Sequence, residues 1–251
     1  MNAAATAGVP LGRRGKDVVS SAAAAFFNRK RKNEARAMSR DRDSGRIQRL
    51  WLLAGLLALL AAGAVPCDLA VARHFHRHPL RGDLKRLVHL AEVFGYGGSV
   101  AMILITVAIL DVRGPRAALL PGVTTSAAGL VANVAKLLVG RLRPHQLDWN
   151  APLPSTFLVW LPSWMPQRLG RPYTSDVQSF PSGHAAAAVG LAIGLACLYP
   201  RGRWWFACLA ALAGLQRLAA EAHYLSDVLA GAALGCLAAA ACLAAGADRL
   251  I

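Results

Sequence analysis

Six stretches of this sequence contain no charged side chain, and together they leave few folds open: Leu50–Val65, Val93–Leu110, Ala117–Ala135, Ala185–Pro200, Trp204–Gln216 and Val228–Ala247. Inside lipid every backbone N–H and C=O must pair within the protein, so apolar runs of this length predict membrane-spanning helices. The expectation is an all-α, polytopic membrane protein built as a six-transmembrane-helix bundle. Several runs fall short of the roughly 20 residues that cross ~30 Å of hydrocarbon. Their polar ends, Lys136 and Arg217 among them, therefore belong at the interface or in a polar pocket. Gly and Ala recur within the runs, which suits close helix approach where no hydrophobic force drives helices together. With 55% hydrophobic and 16% charged residues, an ordinary soluble domain is excluded.

The formal charge of +15 would suit a nucleic-acid partner if it formed a patch interleaved with aromatic residues. Instead, residues 1–49 hold twelve Lys/Arg against four Asp/Glu and abut the first apolar run. This is a topology signal, and no nucleic-acid partner is expected. A cytoplasmic amino terminus also puts the connections with Arg113/Arg116 and Arg201/Arg203 in the cytoplasm, and Arg249 after the last run. Residues 66–92, residues 141–183 and the turn at Glu221–Ser226 then lie on the opposite, extracytoplasmic face. Arg73, Arg77, Arg81, Lys85 and Arg86 in the first of these weigh against that orientation. Residues 1–48 show no sustained hydrophobic period. They read as a flexible cytoplasmic tail, a transit segment, or a stretch before a start at Met38, with no apolar core of a cleaved secretory signal before Leu50. Residues 49–251 form the membrane domain.

Ionisable side chains at membrane depth are costly, which directs attention to Lys136, Arg143, His184, Arg217, His223 and Asp227. All six map to the ends of apolar runs on one face. Taken singly, Lys136 and Arg143 read as interfacial anchors, and Pro181-Ser182-Gly183-His184 as a helix start capped by Ser182. That start also aims free backbone amides at an anion. His223 and Asp227 are four residues apart, a helical spacing that lets the carboxylate hold one imidazole nitrogen and leaves the other free to attack. Three cations, two histidines and an aspartate supply what phosphoryl transfer requires: charge for the equatorial oxygens, an in-line nucleophile and an acid for the departing oxygen.

Lys136-Leu-Leu-Val-Gly-Arg-Leu-Arg143-Pro144, Pro181-Ser182-Gly183-His184, and Arg217 followed six residues on by His223 and four later by Asp227 together resemble the type 2 phosphatidic acid phosphatase superfamily. These are membrane lipid phosphatases related to vanadium haloperoxidases. The resemblance implies a phosphatase acting on a lipid phosphate monoester or diphosphate through a phosphohistidine. In that scheme His223 is the nucleophile, Asp227 orients it, and His184 protonates the leaving alcohol. Lys136, Arg143, Arg217, Ser182 and the Gly183 amide hold the phosphate. It implies no cofactor and no metal. One departure is Gln216, where the family often has serine before the arginine. Phosphatidic acid, phosphatidylglycerophosphate, a polyprenyl diphosphate and a phosphorylated glycolipid are all compatible substrates.

Other features have bland readings. Leu147–Phe180, with Trp149, Trp160, Trp164 and Tyr173, reads as an interfacial belt or as a lid over the site. His74, His76 and His78 alternate within Arg73–Arg86 without cysteine or carboxylate partners at metal spacing, which favours a basic interfacial helix. The five cysteines show no zinc pattern and read as buried thiols. A soluble haloperoxidase is opposed by the apolar runs. A non-catalytic lipid-phosphate binder or transporter is opposed by the pair His223 and Asp227, since binding alone needs no oriented nucleophile.

Overall fold

The computed structural model describes residues 44–150, 156–161 and 172–250. Two compact units divide the chain, Met1–Gly45 and Arg46–Ile251, and the fold below is that of the second. The expected tail lies outside the described residues as far as residue 43, while Ser44 already opens the first helix. Arg46, Gln48 and Arg49 are ordinary helix formers, so the helix runs on past the end of its apolar face.

That helix, α1 (Ser44–Arg77), is long enough to cross a bilayer and contains a 3-10 turn at Val65–Cys67, where Pro66 removes a donor. The basic stretch expected as one interfacial helix is split. α1 ends at Arg77, Pro79 follows, and α2 (Gly82–Leu90) begins anew. Next come α3 (Gly97–Leu110) and α4 (Leu119–Lys136), the latter entered through a 3-10 turn at Gly114–Ala118. α5 (Gly183–Leu198), α6 (Arg203–Ala219) and α7 (Leu225–Ala244) complete the helices. Each of the six apolar runs lies on a helix.

Among the described residues three helices meet the length and composition of a membrane span: α1, Gly114–Lys136 and α7. A fourth span arises if Gly82–Phe94 and Gly97–Leu110, bent by 71°, count as one. α5 is apolar but only 16 residues long, and α6 carries Arg203, Gln216 and Arg217 at its ends. The all-helical expectation missed one feature. β1 (Val139–Arg141) pairs antiparallel with β2 (Phe157–Trp160), with Arg141 opposite Phe157. Strands this short leave too little alternation to register against helical periods.

α5 packs against α4, α6 and α7 and is apolar on every side, as a central helix must be. Small residues set the spacing. A Cβ at Gly231 on α7 would strike the Ser182 carbonyl at the start of α5. Thr124 on α4 donates its hydroxyl to the Gly190 carbonyl of α5 at 2.8 Å. Outward, Leu52, Leu56 and Leu59 of α1, Met102 and Ile109 of α3 and Trp204 of α6 are exposed. On a soluble protein that surface would be a liability, whereas against lipid it is matched.

Candidate active site

The end of α4, the start of α5, the end of α6 and the start of α7 meet at one end of the bundle. There the structure gathers Lys136, Arg143, Ser182, Gly183, His184, Arg217, His223 and Asp227. Lys136, Arg143, Arg217 and His223 all lie within electrostatic reach of His184. A Cβ on Gly183 would sit 4.0 Å from Lys136 Nζ. Gly183 and His184 open α5, with the buried Ser182 as its cap, accepting the Ala185 amide at 3.4 Å. A cavity of about 620 Å³ descends from Lys136, Gly183 and His184 between α3, α4 and α5, past Asn133, Gly129 and Leu104.

His223 is held by a turn and not by a helix face. α7 starts only at Leu225, so His223 precedes the helix, yet the four-residue spacing still brings its ring to the Asp227 carboxylate. Glu221 takes a left-handed conformation (φ 52°), and the Ala222 and His223 amides both reach back to the Arg217 carbonyl, at 3.1 and 3.3 Å. From outside, His145 donates its amide to the Glu221 carbonyl at 3.1 Å. Within this turn His223 Nδ1 is 2.7 Å from the Ser179 carbonyl and 3.7 Å from Asp227 Oδ2. A carbonyl only accepts, so Nδ1 carries the proton and Nε2 keeps its lone pair. The hydrogen-bonded contact of Nδ1 is thus the Ser179 carbonyl, and the Asp227 carboxylate stands beside it at ion-pair distance. Asp227 also receives the Ser179 hydroxyl at 2.6 Å and the Tyr224 amide at 2.9 Å. Burial pushes the His223 imidazole below its ordinary value, against the opposing pull of Asp227.

On the other side, Arg143 follows β1, and its amide donates to the Asp176 carbonyl at 2.9 Å. Burial and the nearby Arg217 lower the pKa of its guanidinium, with Asp176 and Asp227 opposing. Its Nε and His184 Nε2 are buried without a hydrogen-bond partner. Polar atoms so placed beside a cluster of cations are free to serve the oxygens of an anion. Arg217 is tied to Glu92 Oε1 at 2.5 Å and to Gln216 Oε1 at 2.5 Å, and Gln216 donates to Glu92 Oε2 at 3.2 Å. Gln216 therefore braces Arg217 both directly and through Glu92. Glu92 Oε1 also lies 3.8 Å from His184 Nε2, beyond hydrogen-bond reach.

Four residues at the site escaped sequence reasoning: Asp68, Glu92, Arg141 and Ser179. Asp68 had a usable signal, as a lone acid just beyond the first apolar run, and Arg141 stands inside the first motif. Of the alternating histidines, His76 Nδ1 is 3.0 Å from Glu221 Oε2 and its ring stacks on Trp149, while His74 and His78 face each other. Among the described residues no three His, Cys, Asp or Glu side chains converge as metal ligands. Of the suggested lid, residues 151–155 and 162–171, Trp164 among them, lie outside the described residues. Trp160 is exposed, and the Tyr173 hydroxyl closes α4 by donating to the Lys136 carbonyl at 3.0 Å.

Over 109 residues the chain is 37% identical to a lipid A 1-phosphatase of Rhizobium johnstonii, covering 43% of this chain and 39% of that one. Over 110 residues it is 33% identical to a lipid A 1-phosphatase of Rhizobium etli, covering 43% and 41%. The matched part is thus about two fifths of the length of these relatives. In fold it resembles the transmembrane PAP2-type phosphatidylglycerolphosphate phosphatase of Bacillus subtilis (TM-score 0.54, 17% identity, 81% of this chain and 96% of that one). It also resembles LpxE of Aquifex aeolicus (TM-score 0.50, 19% identity, 69% and 92%). The family model of the PAP2 superfamily matches residues 117–250. That match spans more than half of the chain and contains all eight converging residues, so the chain belongs to the PAP2 superfamily.

Proposed function

We propose that this chain is an integral membrane phosphatase that hydrolyses a phosphate monoester or diphosphate on a lipid through a phosphohistidine at His223. The observation that carries the reading is the arrangement around that ring. Nδ1 is committed to Ser179 and Nε2 is free, and the unpaired Arg143 Nε and His184 Nε2 stand with Lys136 and Arg217 about the place of an anion. His223 Nε2 attacks phosphorus, the bond to the lipid oxygen breaks, and the proton of a His184 imidazolium passes to that oxygen. Water then attacks the phosphohistidine, giving its proton to His184, and releases phosphate with His223 restored. Lys136, Arg143, Arg217, the Ser182 hydroxyl and the Gly183 amide balance the charge on the phosphoryl oxygens.

The cavity running from Lys136 down to Leu104 fits an acyl or prenyl chain beneath a headgroup held at the cations. Because the named relatives act on lipid A, a phosphorylated glycolipid leads the substrate panel. The six helices carrying the apolar runs are read as six spans, the shorter ones crossing with their polar ends at the interface. The basic amino terminus is cytoplasmic and the site extracytoplasmic.

The test is phosphate release by purified, detergent-solubilised protein, with chelator present, from lipid A, phosphatidic acid, phosphatidylglycerophosphate and a polyprenyl diphosphate. Chelator-resistant release that disappears in His223→Ala supports the reading. No release from any of the four shifts the balance to binding or transport.

A further inference from the structure

Among the described residues the largest wholly buried side chain is a cation that the phosphate chemistry does not use. Arg141, in β1, is 0% exposed, and its guanidinium lies between the rings of Phe157 and Tyr224, at 4.2 and 4.1 Å from their centroids. Nη2 donates to Asp68 Oδ2 at 2.5 Å. Nη1 donates to Asp227 Oδ1 and to the Ser226 hydroxyl, the latter at 2.7 Å, and Nε to Thr156 at 3.3 Å. Asp68, from α1, is itself buried and accepts both the amide and the hydroxyl of Ser226, at 2.9 and 2.5 Å. Asp68 lies outside the residues that match the family model. Ion groups taken this far from water contribute little net stability, because desolvation offsets their attraction. The arrangement is better explained by what it orients.

Both groups beside His223 Nδ1 are anchored by this one residue. The Arg141 guanidinium holds the Asp227 carboxylate, and the Arg141 carbonyl accepts the Ser179 amide at 3.0 Å, anchoring the residue whose carbonyl takes the Nδ1 proton. We propose that Arg141, set from behind by Asp68, is a positioning residue of the reaction: by side chain and backbone together it places the Asp227 carboxylate and Ser179 peptide that orient the His223 ring and fix its tautomer. The inference rests on His223 as nucleophile. It gives α1 a part in the site, through a chain of contacts from Asp68 to Arg141 to Asp227 to His223.

Charge in this chain reaches His223 with a predictable sign. The ring also faces Lys136 of α4, Arg143 beyond β1 and His184 of α5, which in turn faces Arg217 of α6, tied to Glu92, and all of these stay constant across the variants. Asp68→Asn removes an anion, leaves Arg141 to neutralise Asp227 more fully, and weakens support for an imidazolium. The acid limb of kcat then moves to lower pH. Arg141→Gln removes the cation, frees the Asp227 charge toward the ring, and moves the limb to higher pH. Arg141→Lys keeps the charge and loses the two-armed grip, so the limb stays near that of the wild type while kcat falls.

The experiment measures pH profiles of kcat and KM, in detergent, with lipid A or dioctanoyl phosphatidic acid, whichever the wild type hydrolyses faster. Folded protein is quantified by size exclusion and thermal unfolding. Expected are a fall in kcat of about tenfold with KM within about twofold, and opposite limb shifts of about half a pH unit for Asp68→Asn and Arg141→Gln. If Arg141→Gln does not fold, Asp68→Asn and Arg141→Lys carry the test. Wild-type kcat and an unmoved limb in these variants, or losses that match the loss of folded protein, overturn the proposal while leaving the phosphatase reading intact. Absence of His223-dependent release by the wild type overturns both.

Discussion

At the residue scale, His223 is governed by which of its two nitrogens is occupied. The Ser179 carbonyl at 2.7 Å can only accept, so it puts the proton on Nδ1, and the Asp227 carboxylate at 3.7 Å favours the same tautomer. In the proposed reaction, removing the ring removes the nucleophile. His223→Ala is expected to lose roughly a thousandfold or more of kcat with folding unchanged, as read by phosphate release and unfolding temperature. The environment of the ring makes a second prediction. Burial lowers its pKa, so the neutral, attacking form persists to more acid pH than an exposed histidine would allow. After correction for the substrate's own titration, the acid limb of kcat/KM should fall below the ordinary histidine pKa of about 6.5. A half-loss at or above that pH would contradict the geometry. Gln216 illustrates how a departure from a motif becomes legible only in context. Beside Glu92 and Arg217 its amide completes a brace that a shorter serine side chain would span less fully.

At the scale of elements, the site depends on how closely α5 and α7 approach. The Ser182 amide donates to the Asp227 carbonyl at 3.0 Å, which joins the cap of one helix to the first turn of the other. Gly231 faces the Ser182 carbonyl one turn further along α7, with no room for a Cβ. Gly231→Ala must therefore part the helices or shift the cap. The expected cost is about 2 kcal/mol of stability together with a fall in kcat, measured by thermal unfolding and turnover. Unchanged turnover would show that the cap moves freely of the phosphate site. A similar argument explains why the turn between α6 and α7 holds its shape. It is bonded internally to Arg217 and externally to His145, and Glu221 accepts a left-handed backbone that costs on the order of 1 kcal/mol.

At the scale of the whole molecule, an apolar exterior and a polar end suit a bilayer, and the proposed orientation rests on the basic segments. Asn150→Cys, exposed near the site, in a background with the five native cysteines replaced by alanine, should be labelled by a membrane-impermeant maleimide in intact cells. Labelling only after lysis would invert the orientation. How much of this could be read without coordinates depended on range. Helices carrying all six apolar runs were legible, because an uncharged run is a local property. So were the eight converging residues, because a bundle brings run ends to one face and the motif spacing marks them. Long-range choices were not legible. The orienting contact of His223 comes from Ser179, and the partners of Asp227 include Arg141, which is itself anchored by Asp68 of α1. The sequence by itself determined an apolar bundle with a cationic, two-histidine end, since hydropathy and motif spacing act along the chain. Only the tertiary structure decided which group holds the nucleophile and what stands behind it, because those contacts are made between segments that no local pattern connects.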